Sequence, residues 1–182
     1  MGESGLVGIQ LLFVVETNEQ SKSDYIYIKS VLDTVYNCRI LNDVKLSPVY
    51  MRGKGNYKQN RITKQIESLH NKYKKVGNTK VIYCIDTDQF DKKTDDKRIL
   101  NEIEFFCKKN GYDFVWFCHD VEEVFLGHSV PSCDKTKCAN IYASRNGISR
   151  INKDYLKSEI RVKQKSNLIN VLDKHLNQYI SK

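Results

Sequence analysis

Short apolar runs alternate with segments of helical periodicity along the first two thirds of the chain. Four runs are rich in β-branched and aromatic residues, which predicts strands; they cover 9–15, 46–51, 80–85 and 112–118. The intervening segments place apolar residues three and four positions apart, which predicts helices; they cover 21–36, 62–73, 99–107 and 121–126. This alternation predicts an α/β fold, with a small parallel sheet of about four strands and helices on both faces.

The pattern changes in the last third of the chain. Positions 129–150 show little periodicity and predict a long loop, whereas 152–182 predicts one or two helices with an apolar face. We therefore expect an α/β domain over 6–128, and a loop with a C-terminal helical extension over 129–182 that packs on the same domain. Pro48 predicts that the second strand lies at an edge of the sheet, because proline cannot donate a ladder hydrogen bond.

Acidic residues follow three of the four predicted strands. Glu16 follows the first strand, Asp86 and Asp88 follow the third, and Asp120, Glu122 and Glu123 follow the fourth. The carboxyl ends of parallel strands share one edge of the sheet, and ligands bind outside that edge where the strand order reverses. Converging carboxylates repel one another unless a cation neutralises them, and oxygen ligands suit Mg²⁺ or Mn²⁺. The alternative for Asp86 and Asp88 is a polar loop in which aspartate caps a helix.

The charge balance adds a polyanionic partner to this interpretation. The chain of 182 residues has 30 Lys and Arg against 22 Asp and Glu, a net charge of +8. That balance favours nucleic acid as a partner, either DNA or RNA, and a soluble protein with many surface lysines is the alternative. The candidate nucleic-acid contacts are Lys22, at the start of the first helix, and Arg52, Lys54 and Lys58, in a glycine-containing loop after the second strand. An ordinary solvated loop is the alternative for the last three.

The sequence shows no pattern of export and no membrane span. The apolar stretch 6–15 lacks the basic start and cleavage site of a leader, and no run approaches the roughly 20 apolar residues that a membrane helix needs. Six cysteines are present. Four fall within apolar runs and predict buried free thiols; they are Cys38, Cys84, Cys107 and Cys118. We expect a cytoplasmic protein, because reduced thiols are typical of that compartment.

The acid after the first strand and the Asp-x-Asp after the third together resemble the TOPRIM pattern of topoisomerases, primases and OLD-type nucleases. These residues are Glu16, Asp86 and Asp88. The chain more closely resembles RloB-like proteins, small TOPRIM relatives linked to bacterial antiphage systems. Those proteins open with a strand that ends in Glu, a short polar stretch and a Tyr-containing helix, which here is VVETNEQSKSDYIYI at 14–28.

A second block of the RloB-like pattern follows the fourth strand. The family motif resembles Phe-Glu-x-Trp-x-Leu-Leu-His, and the corresponding stretch 121–128 is VEEVFLGH. Glu122 and His128 fall at the matching positions, whereas the Phe and Trp of the motif are absent. The resemblance covers roughly 9–128 and leaves the rest of the chain unexplained.

The chain departs from the family near its first motif. Thr17 stands where the family usually has Gly. Lys22 stands at the position of a second family Glu, after a one-residue insertion, and Glu19 is the candidate substitute for that acid. These departures bear on activity more than on fold.

The resemblance implies a metal-dependent phosphodiesterase that acts on DNA or RNA, as the effector of an antiphage system that works with an ATPase partner. On that basis Glu16, Asp86 and Asp88 bind the metal, and Glu16 is alternatively a general base or acid. Glu122 and His128 would orient groups or contact the scissile phosphate. A packing or capping role is the alternative for His128. A homo-oligomer is also compatible with the sequence.

Three other interpretations remain open from the residues alone. A non-catalytic module would bind nucleic acid or a partner through a degenerate acidic site. A haloacid-dehalogenase-like phosphatase also uses an Asp-x-Asp after a strand, although usually the first strand, and Phe90 occupies a position that is usually Thr or Val there. A zinc site would use His128, Cys133 and Cys138, with Cys118 or His119 to complete the set.

Overall fold

The strand Gly8–Val15 (β1) is buried along its whole length, as a largely apolar strand in the middle of a parallel sheet should be. The computed structural model describes 8–38 and 42–180, with side chains to 177. Its sheet has four parallel strands in the order β2-β1-β3-β4, which confirms the predicted fold class and the edge position of the strand that contains Pro48. The other strands are Val44–Tyr50 (β2), Gly77–Asp86 (β3) and Asp113–Phe117 (β4).

Helices cover both faces of the sheet. The α-helices are Ser23–Val35 (α1), Asn60–Tyr73 (α2), Thr94–Asn110 (α3), Val121–Leu126 (α4), Lys135–Ser144 (α5) and Leu168–Ile180 (α6). Successive side chains of β1 point to opposite faces. Leu11 and Phe13 belong to the core shared with α1 and α6, whereas Leu12 and Val14 belong to the core shared with α2 and α3. The strand order therefore reverses between β1 and β3, because the two halves of the sheet grow in opposite directions from β1.

Two sequence predictions about element bounds are wrong. Helix α2 ends at Tyr73, as predicted, but β3 already begins at Gly77, three residues before the start of the predicted strand 80–85. The predicted loop 129–150 contains α5 and a 3₁₀ turn at Gly147–Arg150. Only Ala139 and Tyr142 of α5 are buried, so this helix has almost no apolar periodicity to detect.

The segment that follows β4 lies against both α1 and the sheet. The rings of Tyr142 in α5 and Tyr27 in α1 are 5.1 Å apart. Ser166, just before α6, forms an isolated antiparallel bridge with Phe117 at the end of β4. This packing holds the start of α5 beside the carboxyl edge of the sheet. Over the described range, no helix is both long and apolar enough to cross a bilayer.

Candidate active site

Two predicted metal ligands meet where the strand order reverses. Val15 at the end of β1 pairs with Cys84 of β3, so Glu16 leaves the sheet beside the last residue of β3, Asp86. Glu16 Oε1 accepts a hydrogen bond of 2.8 Å from the backbone N–H of Asp86. Asp86 Oδ1 in turn accepts one of 3.0 Å from the backbone N–H of Val121, the first residue of α4. Both carboxylates are therefore fixed by main-chain donors.

Burial makes the charged forms of these two acids unfavourable. It raises the pKa of Glu16 from 4.5 to about 8, with Lys54 opposing the rise and Asp24 adding to it. Burial also raises the pKa of Asp86 well above its ordinary value, and the neighbouring Glu16 and Asp24 carboxylates raise it further. Each acid thus makes ionisation of the next more costly, which is the situation that a bound cation relieves.

A third acid of the site, Asp24, is more deeply buried than Glu16 and Asp86 and was missed by the sequence analysis. Asp24 lies in the first turn of α1, is 5% exposed, and accepts a 3.1 Å hydrogen bond from the backbone N–H of Thr17. Burial raises its pKa as well. The sequence feature that could have revealed Asp24 is its position. Asp24 shares the apolar face of α1 with Ile28 and Val31, four and seven residues later. A charged residue on an otherwise apolar helix face indicates a special environment.

Glu19, the other candidate for an acid near the first helix, does not join this group. Its carboxylate lies 3.0 Å from the guanidinium of Arg52, and both side chains are largely exposed. Lys22 adopts a left-handed backbone conformation before α1 and is exposed. Among the acids near the first helix, Asp24 rather than Glu19 lies close enough to Glu16 and Asp86 to raise the pKa of both.

Glu122 joins the buried acids through a lysine that sequence reasoning did not single out. Its side chain is fully buried, and Glu122 Oε2 lies 2.7 Å from Lys135 Nζ at the start of α5. Burial raises the pKa of Glu122, although the ammonium of Lys135 opposes that rise. Burial also disfavours the charge of Lys135, but the Glu122 carboxylate outweighs it and raises the pKa of this lysine. Lys135 was overlooked because its helix was predicted to be a loop.

A second lysine, Lys54, reaches the other side of the acidic group. It begins the 3₁₀ turn after β2, its side chain is 12% exposed, and its Nζ contacts the carboxylate of Asp88. The same Nζ lies 3.4 Å from the backbone carbonyl of Asp86. The Asp88 side chain is half exposed and turned toward this lysine. Among the predicted nucleic-acid contacts, Lys54 is the one that the structure brings into the site.

The remaining predicted residues lie elsewhere or have local roles. Asp120 caps α4 by accepting a 2.7 Å hydrogen bond from the backbone of Glu123, and Glu123 pairs with His119 at 3.1 Å. His128 is exposed, and its Nδ1 lies 3.2 Å from the carbonyl of Leu126. Lys58 is exposed above the ring of Tyr57. None of these side chains forms a described contact with Glu16 or Asp86.

The donor chemistry of the site fits a hard divalent cation. Mg²⁺ prefers carboxylate oxygens, keeps several waters, and is commonly held by one or two carboxylates together with substrate phosphate. Glu16 and Asp86 supply two such carboxylates at the ends of neighbouring strands. Across the described residues, no group of three or more His, Cys, Asp or Glu side chains is placed to hold a metal ion, and Cys133 of the zinc alternative is exposed. Asp88 would have to leave Lys54 to become a third ligand.

No protein-family model, curated protein or solved structure matches the chain. The likeness to TOPRIM and RloB-like proteins therefore remains a prediction, and function is argued from the residues of the site.

The stability of the metal-free protein should fall as pH rises from about 4.5 to about 8. The pKa of Glu16 is higher in the folded protein than its ordinary value of 4.5, so the folded state binds this proton more tightly than the unfolded state. Its ionisation consequently costs stability across that window, on the order of 1–3 kcal/mol after allowance for coupling to neighbouring acids. Urea unfolding at a series of pH values in a chelator measures this slope.

The matched variants for this prediction are Glu16→Gln and Asp95→Asn. The amide of Glu16→Gln still accepts the Asp86 N–H but cannot ionise, so the slope should flatten. Asp95 is an 88% exposed acid of α3, and its replacement should leave the slope as in the wild type. An unchanged slope in Glu16→Gln would show that Glu16 ionises normally in the folded protein.

Proposed function

We propose that the chain is a divalent-metal-dependent nuclease whose active site is the acidic group at the carboxyl edge of β1 and β3. The observation that supports this most strongly is the placement of Glu16 and Asp86, two half-buried acids on neighbouring strands whose carboxylates are held by main-chain hydrogen bonds. A fold gains no stability from crowding acids in this way. Such an arrangement is typical of a site that is completed by a cation.

Each residue of the site would have its own role in phosphodiester hydrolysis. A divalent ion bound there supplies a Lewis acid for a phosphoryl oxygen and lowers the pKa of a water molecule. Glu16 and Asp86 would hold that ion. Lys54 would exchange Asp88 for a phosphate oxygen of the substrate, because an ammonium on a flexible stem pairs readily with either. Lys135 keeps Glu122 paired and so anchors α5 beside the site.

The substrate proposed for this site is a nucleic acid. The net charge of +8 favours a polyanion, and the loop after β2 brings Arg52, Lys54 and Lys58 to the same side of the sheet as the acids. Contacts to the phosphate backbone are proposed rather than contacts to bases, since the residues at the site are lysines and acids. In the antiphage setting that the resemblance implies, an ATPase partner would control when the site is used.

A non-catalytic binding module is the second candidate, and one observation favours it. Lys135 and Lys54 already neutralise Glu122 and Asp88 without any metal. A degenerate site of this kind would keep its acids paired with lysines and would bind a polyanion through the exposed basic residues. This candidate predicts nucleic-acid binding that needs no divalent ion.

Cleavage of labelled single- and double-stranded DNA and RNA, including tRNA, with Mg²⁺ or Mn²⁺ separates the two candidates. The nuclease proposal predicts cutting of at least one substrate that chelator stops and that Asp86→Ala/Asp88→Ala lacks. Binding by both proteins without cutting, and with no effect of divalent ions on binding, would favour the module. Testing with and without a cell extract that contains ATP covers dependence on an ATPase partner.

A further inference from the structure

A cavity of about 580 Å³ lies between the end of α4, helix α5 and the segment that follows α5. Its volume is within the range of about 300–1,000 Å³ that is usual for small-molecule sites. Neither Glu16 nor Asp86 is among the residues that line it. The cavity is therefore separate from the acidic group, although α4 borders both.

One wall of this cavity is aromatic and aliphatic. Phe125 and Tyr142 contribute rings that pack edge to face at 5.6 Å. Ile141 and Tyr155 line the cavity as well, and each is 40% exposed, which is high for large apolar side chains. A planar apolar group bound between them would cover surface that is now open to water.

The charged side chains of the lining are basic. Arg145 and Arg150 line the cavity with His128, and no Asp or Glu does. Among the described residues, no ion pair or side-chain hydrogen bond engages either guanidinium. The buried hydroxyl of Tyr142 also lacks a hydrogen-bond partner within the described part of the chain. Unpaired guanidinium groups beside an apolar wall suit an anion that is attached to a flat ring system.

We infer that this cavity binds a nucleotide, with its base against the apolar wall near Tyr155 and its phosphate at Arg145 and Arg150. The base supplies the planar apolar face, and Arg recognises phosphate through paired N–H donors. The same chemistry is offered by a free mononucleotide and by the phosphorylated end of a nucleic-acid strand. The inference goes beyond the proposed nuclease activity, because it uses none of the residues that would hold the metal.

Calorimetric titration of the whole chain with AMP, GMP and a 5′-phosphorylated trinucleotide tests the inference. AMP or GMP binding identifies a free nucleotide as the ligand, and binding of the trinucleotide alone identifies a strand end. Arg145→Ala/Arg150→Ala should lower the affinity for the ligand by at least about tenfold, as expected for loss of charge-assisted hydrogen bonds. Arg98→Ala is the control and should bind normally, because Arg98 is an exposed arginine of α3 outside the cavity.

Further arms separate the base from the phosphate. Tyr155→Leu should weaken the nucleotide about three- to tenfold, in keeping with the loss of an aromatic stacking partner. The same variant should leave any weak binding of orthophosphate unchanged. Glu16→Gln should bind the nucleotide as the wild type does, so failure of the nuclease proposal would not affect this result.

Three results would overturn the inference. One is the absence of binding by AMP, GMP and the trinucleotide at millimolar concentration. Another is binding that Arg145→Ala/Arg150→Ala leaves intact while the variant remains folded by circular dichroism. The third is a concentration-dependent dimer, seen by sedimentation, that Tyr155→Leu dissociates, since the cavity mouth would then be covered by a second copy of the chain.

Discussion

Asp86→Asn is expected to lower metal-dependent cleavage by about a hundred- to a thousandfold, as loss of one charge-stabilising group at an active site typically does. The same change should stabilise the metal-free protein by roughly 0.5–2 kcal/mol, the size of gain that single stabilising substitutions commonly give. The asparagine Oδ1 can still accept the hydrogen bond from Val121, so the local fold is kept. Asparagine carries no charge, so the destabilising effect of burial and of the Glu16 and Asp24 carboxylates on an ionised group at position 86 is removed.

Opposite effects on activity and stability distinguish a functional acid from a structural one. Cleavage rates with Mn²⁺ and thermal melting in chelator measure the two quantities on the same preparations. Asp95→Asn, an exposed acid of α3, should change neither. A destabilised Asp86→Asn protein that still cleaves at the wild-type rate would assign Asp86 a purely structural role.

Lys135→Met is expected to destabilise the fold by about 3 kcal/mol. The substitution keeps the length of the side chain but leaves the fully buried Glu122 without the cation that lies 2.7 Å away. Breaking a buried ion pair by removing one partner is costly, because the other charge stays buried. Urea unfolding at neutral pH measures the loss, and Lys137→Met, which removes an exposed lysine of the same helix, should cost much less.

The double variant Lys135→Met/Glu122→Gln shows whether the cost comes from the unpaired charge. A neutral amide at position 122 needs no cation, so the double variant should recover more than half of the stability that Lys135→Met loses. A double variant as unstable as Lys135→Met alone would mean that Lys135 acts through packing of its aliphatic stem against α4 and α5.

The central part of the fold could be predicted because it follows from local patterns. The apolar run of β1 is long enough to be buried on both faces, and it lies in the middle of the sheet. The end of a strand is recognisable in the sequence where apolar residues are followed by an acid. Because parallel strands end at the same edge of the sheet, Glu16 and Asp86 could be expected to lie close together. Helix α4 was also predicted at its observed bounds, Val121–Leu126. The structure adds its caps, with Asp120 at the start and Gly127 at the end.

The rest of the site depends on contacts that no local pattern specifies. Asp24 is recognisable only once the face of α1 that it shares with apolar residues is known to be buried. Lys135 comes from a helix whose sequence lacks amphipathic periodicity and whose position is set by packing against α1. Asp88 follows a strand as expected, but its positive φ of 47° and its contact with Lys54 turn it from the buried acids. Asp120 and Glu123 do not contact Glu16 or Asp86, because Asp120 caps α4 and Glu123 pairs with His119.

Calorimetric titration of Mn²⁺ into the wild-type chain and into Glu16→Gln/Asp86→Asn tests the metal site most directly. Both amides keep the main-chain hydrogen bonds that hold these side chains, so the comparison changes charge and little else. A metal site formed by these two acids predicts one bound ion per wild-type chain, with release of protons from the acids, and no binding by the double variant. Equal binding by the two proteins, or none by either, would contradict a metal site formed by Glu16 and Asp86.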